Sequence, residues 1–229
     1  MSATLDVVIP TLNAATALPR TLAVLRESQS HLASTITVCD GGSGDDTAAI
    51  AKRHGAALVT APPGRGSQLA AGAAAGQAPW ILFLHADTVL GEGWTEVVQG
   101  FFSAPANSTR AGYFRLRFES TDPRALRVER MVAWRCRLLG LPYGDQGLLM
   151  ARSFYRQLGG FRPLPLMEDV DLVRRIGRDN LVPLAADAVT SPARYQRDGW
   201  FARPLRNLLC LALYFAGVAP STLARFYHR

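Results

Sequence analysis

The stretch WILFLHADT, residues 80–88, runs from Trp80 through an unbroken apolar series to Leu84 and then turns polar at His85 and Asp87. An apolar run without polar alternation reads as a strand covered on both faces, the pattern of a parallel sheet packed between helices. Working back toward the N-terminus, residues 5–9 and 36–39 read as further buried strands, and residues 57–60 as a weaker one. Between them, Leu18, Leu22 and Leu25 recur at helical spacing. A second helix is expected over 46–54, with Ser43 as its N-cap and Asp46 three residues on, and an alanine-rich third over 68–75. Strands alternating with helices in this way build an α/β layer around a mostly parallel sheet.

The pattern changes after residue 100. Residues 113–118 alternate Phe114, Leu116 and Phe118 with Arg115 and Arg117, a strand with one wet face. A helix over 123–139 carries Val128, Val132, Cys136 and Leu139 on one stripe, with Arg127, Arg130 and Arg137 grouped as a solvated face. Residues 208–219, LLCLALYFAGVA, are flanked by Arg203, Arg206, Arg225, His228 and Arg229. This run is shorter than the roughly 20 residues a bilayer span needs, so it reads as a packing helix, with an interfacial amphipathic helix as the alternative. No repeat or low-complexity linker divides the chain. One domain over 1–200 is expected, followed by a C-terminal amphipathic helical segment over 201–229, packed on the domain or lying at a membrane surface.

With 229 residues, 48% of them apolar and 19% charged, the chain buries a substantial core. Its net charge of +7 hides an asymmetry: residues 1–100 carry 5 basic and 8 acidic side chains, for −3, and residues 101–229 carry 20 and 10, for +10. Lys52 is the only lysine, and arginine suits forked contacts with phosphate or carboxylate oxygens. The second half is therefore expected to face an anion, either a phosphorylated small molecule or an anionic membrane surface. No zinc-finger spacing, aromatic RNA-binding string or basic zipper is present, so nucleic acid is not expected as a partner. Cys39, Cys136 and Cys210 are far apart and lack CxxC spacing, and the start MSATLDVVIPTLN has no export pattern. Both point to the reducing cytoplasm.

Ligands of parallel α/β sheets gather at the carboxyl ends of the strands, and polar residues cluster at those ends here. Pro10, Thr11 and Asn13 follow the first strand, and DGGSGDDT, residues 40–47, follows the second. Its glycines, Gly41 among them, allow close approach of a ligand, and Asp40 can accept from a base N–H or a ribose hydroxyl. GRGSQ, residues 64–68, places Arg65 at a helix start where an anion is favoured, although it matches neither phosphate-loop pattern. His85 and Asp87, with Ala86 between them, are expected to point the same way from an extended segment and to converge on Mn²⁺ or Mg²⁺. Glu168, Asp169 and Asp171 crowd the start of a helix; close carboxylates can raise one pKa toward that of a general base, or can simply cap the helix.

Taken together and in this order, IPTLN, DGGSGDDT, GRGSQLAAGAAAG, LHADT and MEDVDLVRR resemble the inverting family 2 glycosyltransferases of GT-A fold. The resemblance spans about residues 4–180. LHADT and YGDQG (residues 143–147) are most similar to a small bacterial subgroup associated with arsenosugar biosynthesis. It implies a GT-A type fold with a donor half over 1–100 and an acceptor half over 101–200, and a nucleotide-diphosphosugar donor, most simply a UDP-sugar, lying across the strand ends. Pro10, Thr11, Asn13, Asp40 and Gly41 would hold the nucleoside, with Arg65, His85, Ala86 and Glu168 also about the donor. Asp87 would correspond to the metal-binding aspartate of the family's DxD element and Asp169 to the catalytic base. His85 departs from the pattern by replacing the first aspartate of DxD. The acceptor is unspecified, and a peripheral contact with the inner membrane face is an open expectation. The competing readings are a sugar-phosphate nucleotidyltransferase and a non-catalytic membrane-surface module. The transferase reading requires Asp40, Asp87 and Asp169 to gather around one cavity.

Overall fold

The structure is a computed structural model that describes residues 4–227; His228 and Arg229 of the expected basic flank lie outside them. Its first half is a succession of β1 (Leu5–Thr11), α1 (Leu18–Glu27), β2 (Ser34–Asp40), α2 (Thr47–Arg53), β3 (Ala57–Thr60), α3 (Arg65–Ala75) and β4 (Trp80–Phe83). The second half adds β5 (Thr88–Leu90), α4 (Trp94–Ser103), β6 (Ala111–Phe118), α5 (Pro123–Leu139), β7 (Leu148–Ala151), α6 (Arg152–Gln157), α7 (Glu168–Ile176) and β8 (Leu181–Thr190). Three helices close the described chain: α8 (Ala193–Asp198), α9 (Ala202–Phe215) and α10 (Pro220–Tyr227).

All eight strands form one sheet in the order β3-β2-β1-β4-β7-β6-β8-β5. The first four strands are parallel, as expected for βα units, and β6 pairs parallel with β8; β7 and β5 run against their neighbours. Chain order reverses at β1, which lies between β2 and β4, and such a switch point opens a crevice at the strand ends. Every residue of β1 is buried, because helices cover both faces. One core layer packs Val7, Ile9, Leu22 and Leu82 with Trp94 and Phe101; the other packs Val8, Ile81 and Phe83 against Leu69, Phe154 and Leu172.

Several local readings shift. Ser43 does not cap α2; its hydroxyl bonds Asp40, and the Asp45 carboxylate accepts the Thr47 N–H instead (3.0 Å). The third helix starts at Arg65, so the whole GRGSQ segment enters its first turn. β4 stops at Phe83, and residues 85–88 close a tight turn in which the Thr88 N–H donates to the His85 carbonyl (3.2 Å). On α5, Val128, Val132 and Cys136 are buried, whereas Leu139 is exposed. The apolar run 208–219 is split between α9 and a turn: Cys210 and Leu211 pack inside, while Leu208, Leu209 and Phe215 face out. Packing was the expected state of the whole run, yet one stripe alone achieves it, because α9 lies on the surface against α7 and α10.

A buried ion pair locks the sheet's centre. Arg152 at the start of α6 donates to Asp6 in β1, and its other nitrogens donate to the carbonyls of Ala73 and Ala78. Asp6 also accepts the Ala78 N–H (2.8 Å), and a Cβ on Gly76 would collide with its Oδ2. Breaking such a pair leaves a charge buried without compensation, which typically costs about 3–5 kcal/mol. Arg152→Met is therefore expected to lower the urea-unfolding free energy by about that amount, and Asp6→Asn in the same chain to recover the greater part of it.

Candidate active site

The crevice begins where the loops after β1 and β2 bind each other. Asn13, in the left-handed region at φ 52°, accepts the Gly44 N–H on its side-chain oxygen (2.9 Å), and its own N–H donates to Ser43 Oγ (2.8 Å). The Ala14 and Ala15 N–H groups donate to Thr47 and Asp45. Asp40 accepts from the N–H groups of Gly42 and Ser43 on one oxygen and from the hydroxyls of Thr11 and Ser43 on the other. Burial raises its pKa, but these hydrogen bonds outweigh that and hold the carboxylate below its ordinary range. Beneath them, buried Gln68 donates through Nε2 to the carbonyls of Thr11 (2.5 Å) and Cys39 (2.8 Å), joining the ends of β1 and β2. A Cβ on Gly41 would come within 3.0 Å of that Nε2, which accounts for glycine there.

Arg65, one residue into α3, reaches across the crevice to Glu168, Nε to Oε1 2.7 Å. Gly66 lets α3 touch the backbone at Arg162, where a side chain would strike the carbonyl. This contact brings α7 to the strand ends. Its three acids diverge: Glu168 is buried against Arg65, Asp171 is held by Arg162 and Arg175, and Asp169 faces a cavity. Asp169 Oδ2 accepts the Gly144 N–H (2.9 Å) and Oδ1 the Val170 N–H (2.8 Å). Across from it is the 85–88 turn. Gly144 lies against His85 so closely that a Cβ would come within 2.6 Å of Nε2.

An inner cavity of about 100 Å³ is walled by Asp169, Asp87, His85, Arg65, Asp145 and Arg194, among others. It communicates through Arg65, His85, Asp87, Arg194 and Arg203 with an open cleft of about 810 Å³. Pro10, Thr11, Asn13 and Ala86 wall the cleft alone. The structure thus brings Asp87 and Asp169 together but not Asp40, so two of the three carboxylates expected around one cavity share it. Asp40 and Gly41 stand behind Thr11 and line neither space, and Glu168 stands behind Arg65.

Sequence reading missed several residues of this site. Asp145, from the YGDQG segment, has a buried Oδ1 with no hydrogen-bond partner. Arg194 pairs with Asp87 (3.4 Å), and Arg197, Arg203 and Arg206 converge on Asp198 at 2.6–2.8 Å. One carboxylate among three guanidiniums leaves the cleft positive. The surplus of +10 in the second half was the signal, but no local motif located it.

Electrostatics separate the acids from the imidazole. Burial, then Arg65 and Arg194, push the His85 pKa down to about 4, so the ring is neutral at pH 7. Burial raises Asp145, with Asp169 and Asp87 adding to it, and burial pushes Glu168 up to about 7 against the pull of Arg65. Asp87 with a neutral imidazole is an oxygen–nitrogen pair suited to Mn²⁺ or Mg²⁺. Among the described residues no three His, Cys, Asp or Glu side chains form a cage. Such a site fits a cation that shares its shell with a ligand's phosphates.

The family model described as glycosyl transferase family 2 matches residues 6–156. An uncharacterized glycosyltransferase of Mycobacterium tuberculosis H37Rv is 42% identical over 82 residues, which is 35% of this chain and 35% of that protein; a protein of the same description from Mycobacterium bovis matches equally. The matched segment is thus about a third of the length of these relatives. Among solved structures, the chain is similar to glucosyl-3-phosphoglycerate synthase of Mycobacterium tuberculosis, crystallised with Mn²⁺, UDP-glucose and phosphoglyceric acid (TM-score 0.57, 20% identity, 79% of this chain and 69% of that one). It is also similar to Staphylococcus aureus TarS 1–349 with UDP (TM-score 0.61, 13% identity, 84% and 61%). At these identities the likeness shows the fold, which is GT-A. With a matching family model over most of its length, the chain belongs to glycosyl transferase family 2.

Proposed function

We propose that this chain transfers a sugar from a UDP-sugar to an acceptor hydroxyl in one inverting displacement. The observation that carries the reading is that Asp87 and Asp169, distant in sequence, wall one cavity that opens into an arginine-lined cleft at the ends of β1 and β4. The cleft at Pro10, Thr11 and Asn13 takes the nucleoside; Asp40 and Gly41 act from behind, fixing Thr11 and the loop. Arg65 and Arg194 face the diphosphate, and Glu168 holds Arg65 in place.

In the transfer, the acceptor oxygen bonds to the anomeric carbon from the face opposite the diphosphate, and its proton passes to Asp169. Two peptide N–H groups orient that carboxylate and leave each oxygen a lone pair. The bond from the anomeric carbon to the phosphate oxygen breaks, its electron pair leaving with the nucleoside diphosphate. Guanidiniums of Arg65 and Arg194 stabilise the charge that develops there. Asp87, with neutral His85 beside it, would hold Mn²⁺ or Mg²⁺, which when bound neutralises diphosphate charge.

Three free, buried cysteines support a reducing compartment, the cytoplasm. Among the described residues no helix is long and apolar enough to cross a membrane. Exposed Leu209, Phe215 and Phe226, the last next to Arg225 in the chain, support a peripheral contact with the inner membrane face.

The direct test is release of UDP from UDP-sugars with and without Mn²⁺. Asp169→Asn is expected to bind donor normally and to lose about 10²–10⁴ in turnover; unchanged turnover would remove Asp169 from the chemistry. By calorimetry, Asp87→Ala should weaken UDP binding when Mn²⁺ is present and leave metal-free binding nearly as it was. A third expectation concerns pH. Because the Glu168 pKa in the fold lies above its ordinary 4.5, its stabilising contribution is complete below about 4.5 and is lost as pH rises through about 7. Glu168→Gln, which cannot ionise, should therefore gain in urea midpoint relative to the unaltered chain between pH 5 and pH 8.

A further inference from the structure

A second concavity adjoins the catalytic one. It is an apolar groove of about 390 Å³ between α5 and α9, within the size range of ligand sites. Met131, Trp134 and Leu139 wall one side, and Phe201, Leu205 and Leu208 the other. These are large side chains left in water: Trp134 is 59% exposed and Leu208 60%. An exposed apolar concavity of this kind marks a binding surface more often than chance.

Two observations say what it binds. The groove shares Tyr143, Tyr195 and Asn207 with the cavity that holds Asp169, so the two spaces adjoin along those three side chains. Polarity is graded along that path, from carboxylates and guanidiniums at Asp87, Asp145 and Arg194 to hydrocarbon at Leu205 and Leu208. A ligand complementary to both ends has a polar head and an apolar tail. We infer that the acceptor is an amphiphile: its hydroxyl-bearing head enters the Asp169 cavity and its hydrocarbon tail lies in the α5–α9 groove. This assignment rests on the reading of the Asp169 cavity as the place of transfer. Arg135 supports the junction, its guanidinium stacked 3.4 Å above the Tyr143 ring while Nε donates to the Leu141 carbonyl.

The test uses n-octyl β-D-glucoside below its micelle concentration as the probe, with free glucose as the control. Binding is read from tryptophan emission and assigned to Trp134 by Trp134→Phe. The expected result is a saturable blue shift with octyl glucoside and none with glucose. Leu208→Asp should weaken the response at least tenfold, whereas Leu126→Asp, an exposed leucine of α5 outside the groove, should leave it unchanged. Absence of saturation, or equal loss in both leucine variants, would overturn the groove assignment. Equal loss of co-sedimentation with anionic phosphatidylglycerol vesicles would then identify a generic lipid-adhesive face, and concentration-dependent dimers a self-association surface. A thermal shift with UDP and Mn²⁺, run on the same samples, reports the donor side separately. Octyl binding with no UDP shift would overturn the transfer reading and with it the acceptor role, leaving an apolar-ligand site.

Discussion

The first turn of α3 holds the site together, because three consecutive tasks fall on residues that must occupy fixed positions relative to one another. Gln68 points down and joins the carbonyl ends of β1 and β2. Gly66 permits contact with the backbone at Arg162, and Arg65 extends outward to Glu168. A helix sets these directions about 100° apart per residue, so one rigid turn serves the loops after β1 and β2 and α7 at once. Arg65 and Gly66 thus tie α3 to the opposite wall of the crevice, while Gln68 ties it to the strand ends.

The acids at the start of α7 show how the fold selects among like residues. Glu168 is taken up by Arg65 and Asp171 by two arginines, leaving Asp169 directed at open space. Successive helical positions diverge around the axis, so three carboxylates in four residues need not compete for one place. On the opposite wall, burial is the first cause of His85's neutrality, and the arginines that line the cleft add to it. Arg65 and Arg194, which would stabilise a diphosphate, also oppose a proton on the imidazole.

Much of the architecture was legible because it is written in short-range periodicity. The strands around residues 5–9, 36–39 and 57–60 and the helix over 123–139 follow from runs and stripes that local packing rewards. Asp87, Arg65 and Asp169 were legible because they stand at strand ends or helix starts. What escaped depends on partners far away in sequence. The Gln68 clamp on Thr11 spans 57 residues, and the Ser43 hydroxyl, expected as a cap, is occupied by Asp40 and by the N–H of Asn13, 30 residues away. His85 and Asp87 reach the same cavity around a tight turn rather than along an extended segment, since β4 loses its pairing partner after Phe83. The arginines of α8 and α9 were visible as charge but not as place: Arg197, Arg203 and Arg206 meet nearby Asp198, whereas Arg194 meets Asp87, which is far from it in sequence.

Gly144 carries a consequence of its own. Its N–H donates to Asp169, and it stands so near His85 that there is no room for a Cβ, so the gap between carboxylate and imidazole is gauged by the thickness of a single peptide unit. Any side chain there would act as a wedge, turning the imidazole aside while dragging the carboxylate with the backbone. The two halves of the chain are thus kept in calibration by a residue that contributes no side chain and acts through its N–H and its small size alone.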